Sequence, residues 1–337
     1  MSLNPRTIRF LADNRIYFIL AIALILFLLF VPDLRSVPAL RNLLVRASID
    51  GLMAIGVTVV ILSGQLDLSV GAVLALAGVV AIGLQDPLGP YPAAVVGVAA
   101  GGLVGAMNGF LVVKAGVNSF IVTLAAMIGI RGVAMTLTGA APVRGIDPFF
   151  GASIDRAIFG PLWEQLGTFI TPRIVIFIGV LLIANFVLLR VRQGRNIYAI
   201  GGNAEAARLS GVNVPRYTFG AFVFSGLMAG LAGVVLALSL NTGSPIVGTF
   251  SVLPVIAAVV IGGTVLTGGS GSMMKTLMGV LFLALIKTGM NLAGLEIYVQ
   301  NLVLGVILVV VVLIDAVYTS WRSRLVTATQ LGSTRDA

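Results

Sequence analysis

The sequence predicts an all-α integral membrane protein: a polytopic bundle of about ten transmembrane helices with one short cytoplasmic helix between them. Three observations carry this. Only 10% of the 337 residues are charged and 58% are hydrophobic, against about 25% charged in an ordinary soluble domain. Mean hydropathy is +1.10. Residues 217–274 run for 58 positions without an Asp, Glu, Lys or Arg, and a spanning helix needs only about 20 apolar residues. The segment 174–189 shows no alternation of apolar and polar residues, which excludes the strands of a barrel.

Taken in order, the apolar runs place spans at 16–32, 49–64, 69–85, 91–113, 119–139, 173–190, 217–240, 250–266, 272–293 and 298–319. Arg6, Arg9 and Arg15 precede the first. That run is long and no small-x-small cleavage site follows, so it reads as an uncleaved span with a cytoplasmic N-terminus. Ten crossings put both termini inside. Alternation then places Lys114, Lys275, the 190–216 loop, Arg322 and Arg324 on the cytoplasmic side, as the positive-inside rule favours. Arg35, Arg41 and Arg46 fall outside and disagree. The polar–apolar alternation of 39–50 suggests a separate amphipathic helix on the outer surface.

The external loop 140–172 balances Arg144 and Arg156 against Asp147, Asp155 and Glu164. Its Phe149, Phe150, Phe159 and Trp163 read first as an interfacial anchor and second as a platform for a soluble partner. In the fourth span Gly97, Gly101, Gly105 and Gly109 share one helix face, so another backbone can approach closely. Gly226 and Gly230 repeat the device in the seventh. Two hairpins echo each other weakly, at 60–71 and 264–272; the similarity is too short to establish a repeat.

The cytoplasmic loop 190–216 holds five arginines, Arg190, Arg192, Arg195, Arg208 and Arg216, with Glu205 the one acid. Inside it Asn203 can cap a helix of about eight residues. Glu205 lies in the first turn and Arg208 in the second, the order the helix dipole favours. Gly211 supplies a left-handed stop. Such a helix is marginal alone and needs something to dock on.

Several function classes are excluded. The basic residues behind the net charge of +9 sit at the ends of apolar runs, which points to a lipid bilayer and not to nucleic acid. With neither cysteine nor histidine, the chain lacks the commonest nucleophile, general base and neutral metal ligand, and no cofactor or metal is implied. Residues 269–276 imitate a phosphate loop, but Met274 occupies the place before Lys275 where glycine is required. Any energy source is therefore an ion gradient or a partner's ATPase.

Polar residues near or within spans are few. Asp67 lies in a turn, Asp50 at a span entrance, Glu296 in an external turn and Asp315 near the inner end of the last span. Arg131 and Lys287 are the basic residues most clearly inside, and the same spans offer no acid at their depth. Gln65, Asp67 and Ser69 in the first hairpin, with Asn118 and Ser119 opening the fifth span, are candidates for a translocation path or gate, together with Arg131 and Lys287. Asp67 reads equally as a cap that satisfies N–H groups of the third helix.

Four blocks carry a family resemblance: A-I-G-V-T-V-V-I-L-S-G-Q-L-D-L-S-V-G at 54–71, V-N-S-F-I-V-T-L-A at 117–125 with Arg131-Gly132, G-R-N-I-Y-A-I-G-G-N-A-E-A-A-R-L-S-G-V at 194–212, and V-I-G-G-T-V-L-T-G-G-S-G-S at 260–272. In this order they resemble the permease subunits of bacterial sugar-importing ABC transporters of the ribose, xylose, arabinose and galactose type. Gln65 departs from a usual glycine, and Lys287 from a neutral residue that is often Asn. The resemblance implies an inner-membrane subunit that pairs with a second permease. A cytoplasmic ABC ATPase would bind beneath, and a periplasmic substrate-binding protein would deliver a monosaccharide or related polyol. It also implies that Asn203, Glu205, Ala206, Ala207, Arg208, Leu209 and Gly211 form the coupling helix to the ATPase. The alternatives are a permease for another small polar solute (a nucleoside, a signalling furanose or a branched-chain amino acid) or an ion-coupled carrier.

Overall fold

The computed structural model describes residues 15–146 and 171–307, with 309, 310 and 313. The chain divides into two compact units, Met1–Gly289 and Met290–Ala337. In the first, helices α1 (Arg15–Phe30), α2 (Val37–Leu62), α3 (Val70–Gly83), α4 (Gln85–Leu88), α5 (Pro90–Lys114) and α6 (Ser119–Thr138) lead to strand β1 (Val143–Arg144). There follow α7 (Pro172–Arg190), α8 (Arg192–Gly202), α9 (Ala204–Leu209), α10 (Val214–Leu240), β2 (Thr242–Gly243), α11 (Val252–Ile261) and α12 (Met273–Leu292), the last ending in the second unit. Helix α13 (Ile297–Ile307) lies in the second unit.

Six described helices are long and apolar enough to cross a bilayer: α2, α5, α6, α7, α10 and α12. Four more, in α1, α3, α11 and α13, are apolar but shorter. Helix α3 is the centre of the first unit, with nearly every residue buried; it packs against α5, α6 and α10. At 14 residues it rises about 21 Å, less than the ~30 Å hydrocarbon core. Helix α11 has 10 residues. The runs 69–85 and 250–266 therefore hold helices shorter than the apolar stretch, because Gly262 and Gly263 turn the chain after α11 and the polar turn 63–69 precedes α3.

The separate surface helix expected over 39–50 is not formed. Helix α2 is continuous for 26 residues from Val37, started by Ser36, whose hydroxyl accepts from Ala39 N, and by Pro38 in its first turn. The alternation of 39–50 reflects one-sided burial of Leu43 and Ala47 within this longer helix.

The glycines of α5 face α10 and α3. A Cβ at Gly101 or Gly105 would strike backbone atoms of Gly226 or Phe222, and one at Gly97 would meet Ala77 O and Val234. Gly109 lies on Phe219, and Gly226 and Gly230 answer from α10 against Gly101, Gly105 and Val98. Only residues without side chains permit this backbone approach. Large apolar side chains cover the outside of the bundle, among them Ile22, Ile25 and Phe30 on α1 and Leu103 and Phe110 on α5.

Strands β1 and β2 pair antiparallel, Val143 with Gly243 and Arg144 with Thr242. This pins the start of the 140–172 loop. Its aromatic residues and its acids lie outside the described residues, as do Arg6, Arg9, Asp315, Arg322 and Arg324.

Candidate functional site: a polar segment locked onto two hairpins

The polar segment after α7 folds into two helices. Val191 is extended and ends α7. Gly194 then presses on the backbone of Val187 and Leu188, where a Cβ would collide, so α8 turns back sharply. Gly194, Ile197 and Ile200 are buried on the inner face of α8, while Arg192, Gln193 and Arg195 face out. Sequence reading missed this helix. Its signal was present in the 3-residue spacing of the apolar positions, but the charges had marked the stretch as loop.

Helix α9 has six residues rather than about eight, with both ends capped. Asn203 Oδ1 accepts from Ala206 N at 2.9 Å. At the other end Gly211 N donates to Arg208 O and Val212 N to Ala207 O, both at 3.0 Å, with Gly211 at φ +80°. This is the Schellman arrangement, which needs a left-handed residue there. Glu205 and Arg208 form a two-toothed pair, with Nη2–Oε1 2.8 Å and Nε–Oε2 3.1 Å. Both are mostly exposed. Ala206 is exposed and Ala207 is 4% exposed, facing inward. Leu209 is 79% exposed, an apolar side chain left in solvent beside the pair.

The end of α8 is wedged between the two hairpins. A Cβ on Gly201 would collide with Leu62 O and Gly269 N, and one on Gly268 with Gly64 and Gly201. Gly269 N donates to Leu62 O at 3.0 Å. The Tyr198 hydroxyl donates to Gly271 O at 3.1 Å; burial pushes this phenol up from its ordinary value and keeps it a neutral donor. Asn196 Nδ2 donates to the Tyr217 hydroxyl at 2.7 Å, tying α8 to α10. The Thr58 and Thr276 hydroxyls, one on each helix flanking this junction, are 3.0 Å apart. The two hairpins that only echo each other in sequence are thus in backbone contact with each other and with α8.

Asp67 is 1% exposed and does not cap α3. Ser69 is the residue preceding that helix, so Asp67 is two positions too early. Its Oδ1 instead accepts from Ser69 N at 3.0 Å and Ser69 Oγ at 2.6 Å, closing a turn of the Asx type. Its Oδ2 accepts from Ser225 Oγ on α10 at 2.7 Å. Asn108 Nδ2 on α5 donates to Ser69 Oγ at 3.0 Å. Ser119 Oγ on α6 accepts from Leu66 N at 3.2 Å. Five hydrogen bonds, two within the turn and one from each of three helices, therefore hold this turn within the bundle. Gln65 lies half-buried in the same turn, and Asn118 is exposed, capping α6 through Phe120 N at 2.9 Å.

Ser225 and Asn108 were not singled out in the sequence. Ser225 sits beside Gly226 and reads as a packing residue. Asn108, polar amid apolar neighbours, was a usable signal. Its Oδ1 is buried without a hydrogen-bond partner.

Arg131 and Lys287 have partners that sequence reading could not assign. Arg131 Nη1 donates to Pro245 O at 2.8 Å and Val247 O at 2.9 Å, so carbonyls of the 245–247 loop satisfy it rather than an acid. Lys287 Nζ lies 3.5 Å from Asp50 Oδ2, with both side chains mostly buried. Placing a span boundary at 49 had put Asp50 at an entrance; the longer α2 carries it inside, opposite Lys287. These two sites are separate from the Asp67 cluster in their partners.

An apolar helical bundle with lipid-compatible outer faces and a hydrogen-bonded polar turn inside it defines a polytopic helical membrane protein. Residues 39–312 match the family described as the branched-chain amino acid transport system / permease component, and the chain belongs to this family. It is 38% identical over 289 residues to the ribose import permease protein of Escherichia coli K12, covering 84% of this chain and 87% of that protein. It is 36% identical over 276 residues to the ribose import permease protein of Bacillus subtilis, covering 81% and 83%. To the xylose transport system permease protein of E. coli K12 it is 34% identical over 351 aligned positions, covering 88% and 89%. No solved structure matches the chain.

Proposed function

We propose that this chain is the membrane subunit of an ATP-driven importer for a monosaccharide or related polyol, and that energy enters it through α9. The supporting observation is mechanical. Helix α9 presents Leu209 and the Glu205–Arg208 pair outward, and α8 next to it is locked by backbone contact onto both hairpins. A push on α9 would pass through Gly201 to Leu62 and Gly269 without a soft side chain between. The resemblance of ribose and xylose permeases over more than four-fifths of the chain supports a sugar cargo.

In this reading the chain is not an enzyme. A separate ABC ATPase seats on α9, a second permease completes the path, and a binding protein delivers the sugar from outside. The 190–216 segment and both termini face the cytoplasm. ATP drives import only if the ATPase binds one permease state better than the other. The polar turn around Asp67 and the Asp50–Lys287 pair are the intramembrane features closest to a gate in chemistry.

Uptake of labelled ribose and xylose into proteoliposomes tests this. Uptake that requires ATP, the ATPase and the binding protein is the expected result. Uptake by this chain alone, driven by a proton or sodium gradient, would overturn it.

A further inference from the structure

A cavity of about 670 Å³ lies between α2, α7, α8 and α10, and its lining includes neither α9 nor Gly201. Its chemistry is divided by position. Arg192, Gln193 and Arg216 line one end, where α8 and α10 begin. Ile183 and Val187 of α7 and Phe224 and Met228 of α10 line the rest. Among the described residues neither guanidinium has a carboxylate within 4.0 Å. The Tyr217 hydroxyl at the same end already accepts from Asn196.

Size and exposure narrow the occupant. From Arg216 to Met228 α10 rises about 18 Å, close to the ~15 Å half-thickness of a bilayer core. Ile183 is 66% exposed and Phe186 and Leu182 beside it are exposed too, so the apolar wall continues onto a surface that lipid covers. A sugar would find few polar partners along this wall. A free phosphate would leave it uncovered. Two cations without a carboxylate partner among the described residues, at one end of an acyl-length apolar groove, complement an anionic amphiphile.

We propose that this groove binds an anionic glycerophospholipid, with its phosphate at the Arg192–Arg216 end and an acyl chain along α7 and α10. Only the chain's place in a bilayer is required. Because α8 lines the groove with Arg192 and Ile197 and meets the hairpins through Gly201, a bound lipid steadies the helix between them.

Native mass spectrometry of the full chain, relipidated from equal mixtures of phosphatidylglycerol and phosphatidylcholine, reads the lipid retained per chain. Phosphatidylglycerol is expected to be retained in preference. The Arg192→Gln/Arg216→Gln variant should lower its retention by about 30-fold, roughly fivefold per charge. Arg192→Lys/Arg216→Lys should keep most of it, and millimolar phosphate should not displace it. Gly220→Leu, whose Cβ meets open space within the groove, should lower retention with both arginines intact. Equal retention of the two lipids, or unchanged retention in both the Gln pair and Gly220→Leu, would overturn the assignment. So would a disulfide-linked pair of chains formed by Ile183→Cys in this cysteine-free protein, because the groove would then face a second copy. None of these readouts needs transport, so failure here is distinct from failure of the importer assignment.

Discussion

Adjacent glycines at the end of α8 give a matched pair of perturbations. At Gly201 a Cβ would run into Leu62 O and Gly269 N. Both are backbone atoms, and the second donates its hydrogen bond to the first, so neither can swing aside as a side-chain tip would. Gly201→Ala must therefore spread the hairpins or lift α8. Overpacking of this kind costs about 1–3 kcal/mol, and the rigid neighbours favour the upper end. That corresponds to a fall of roughly 5 °C or more in the unfolding midpoint. At Gly202 a Cβ meets nothing within 4 Å. Gly202→Ala should be neutral or stabilising by no more than about 1 kcal/mol, through reduced backbone entropy of the unfolded chain. Thermal unfolding in detergent reads the first difference. Sugar uptake and ATP hydrolysis in the reconstituted complex read the second, because the collision lies on the route from α9 to the hairpins. Gly201→Ala that matches the parent in both assays, or Gly202→Ala that is equally damaging, would refute the junction.

Three further substitutions probe other parts of the account. Leu209→Glu should leave unfolding unchanged, since the side chain is 79% exposed. It should weaken association with the ATPase about tenfold or more if a full leucine is buried there, worth about 1.5–3 kcal/mol; co-purification at graded concentration checks this. Lys287→Met should destabilise by about 3 kcal/mol by leaving Asp50 buried and unpaired, whereas Lys287→Met/Asp50→Leu should recover most of the loss; a double-mutant cycle on unfolding midpoints decides it. Asp67→Ala should cost at least about 3 kcal/mol, because it strands Ser69 and Ser225 donors inside the bundle. An unaltered midpoint would show that the turn does not depend on it.

The sequence disclosed the helical class and the polar segment because both rest on composition: long uncharged runs, and charge gathered between two of them. The caps of α9 were legible because Asn203 and Gly211 each act within a few residues. What stayed hidden depends on distance along the chain. Lys287 and Asp50 are far apart in sequence, and a boundary set by apolarity alone kept them from being matched. Helix α8 was obscured because its arginines outweighed the spacing of Gly194, Ile197 and Ile200. The meeting of Gly64, Gly201 and Gly268 has no local signature, since a glycine that admits another backbone looks in sequence like one that makes a turn. Asp67 looked like a cap because an acid shortly before a helix usually is one. Only the fold shows Ser225 arriving from α10 to take its second oxygen.

Helix α9 as the point where ATP-derived work enters is tested most directly by one substitution there. Ala207→Pro removes the donor that bonds Asn203 O at 3.0 Å and strains the preceding turn, costing about 3 kcal/mol in a helix interior. The measurement is sugar imported per ATP hydrolysed in proteoliposomes holding the complete complex. With the variant inserted in the membrane, the account predicts that hydrolysis persists while import per ATP falls at least about tenfold, equivalent to ~1.4 kcal/mol of lost coupling. An unchanged ratio would contradict it.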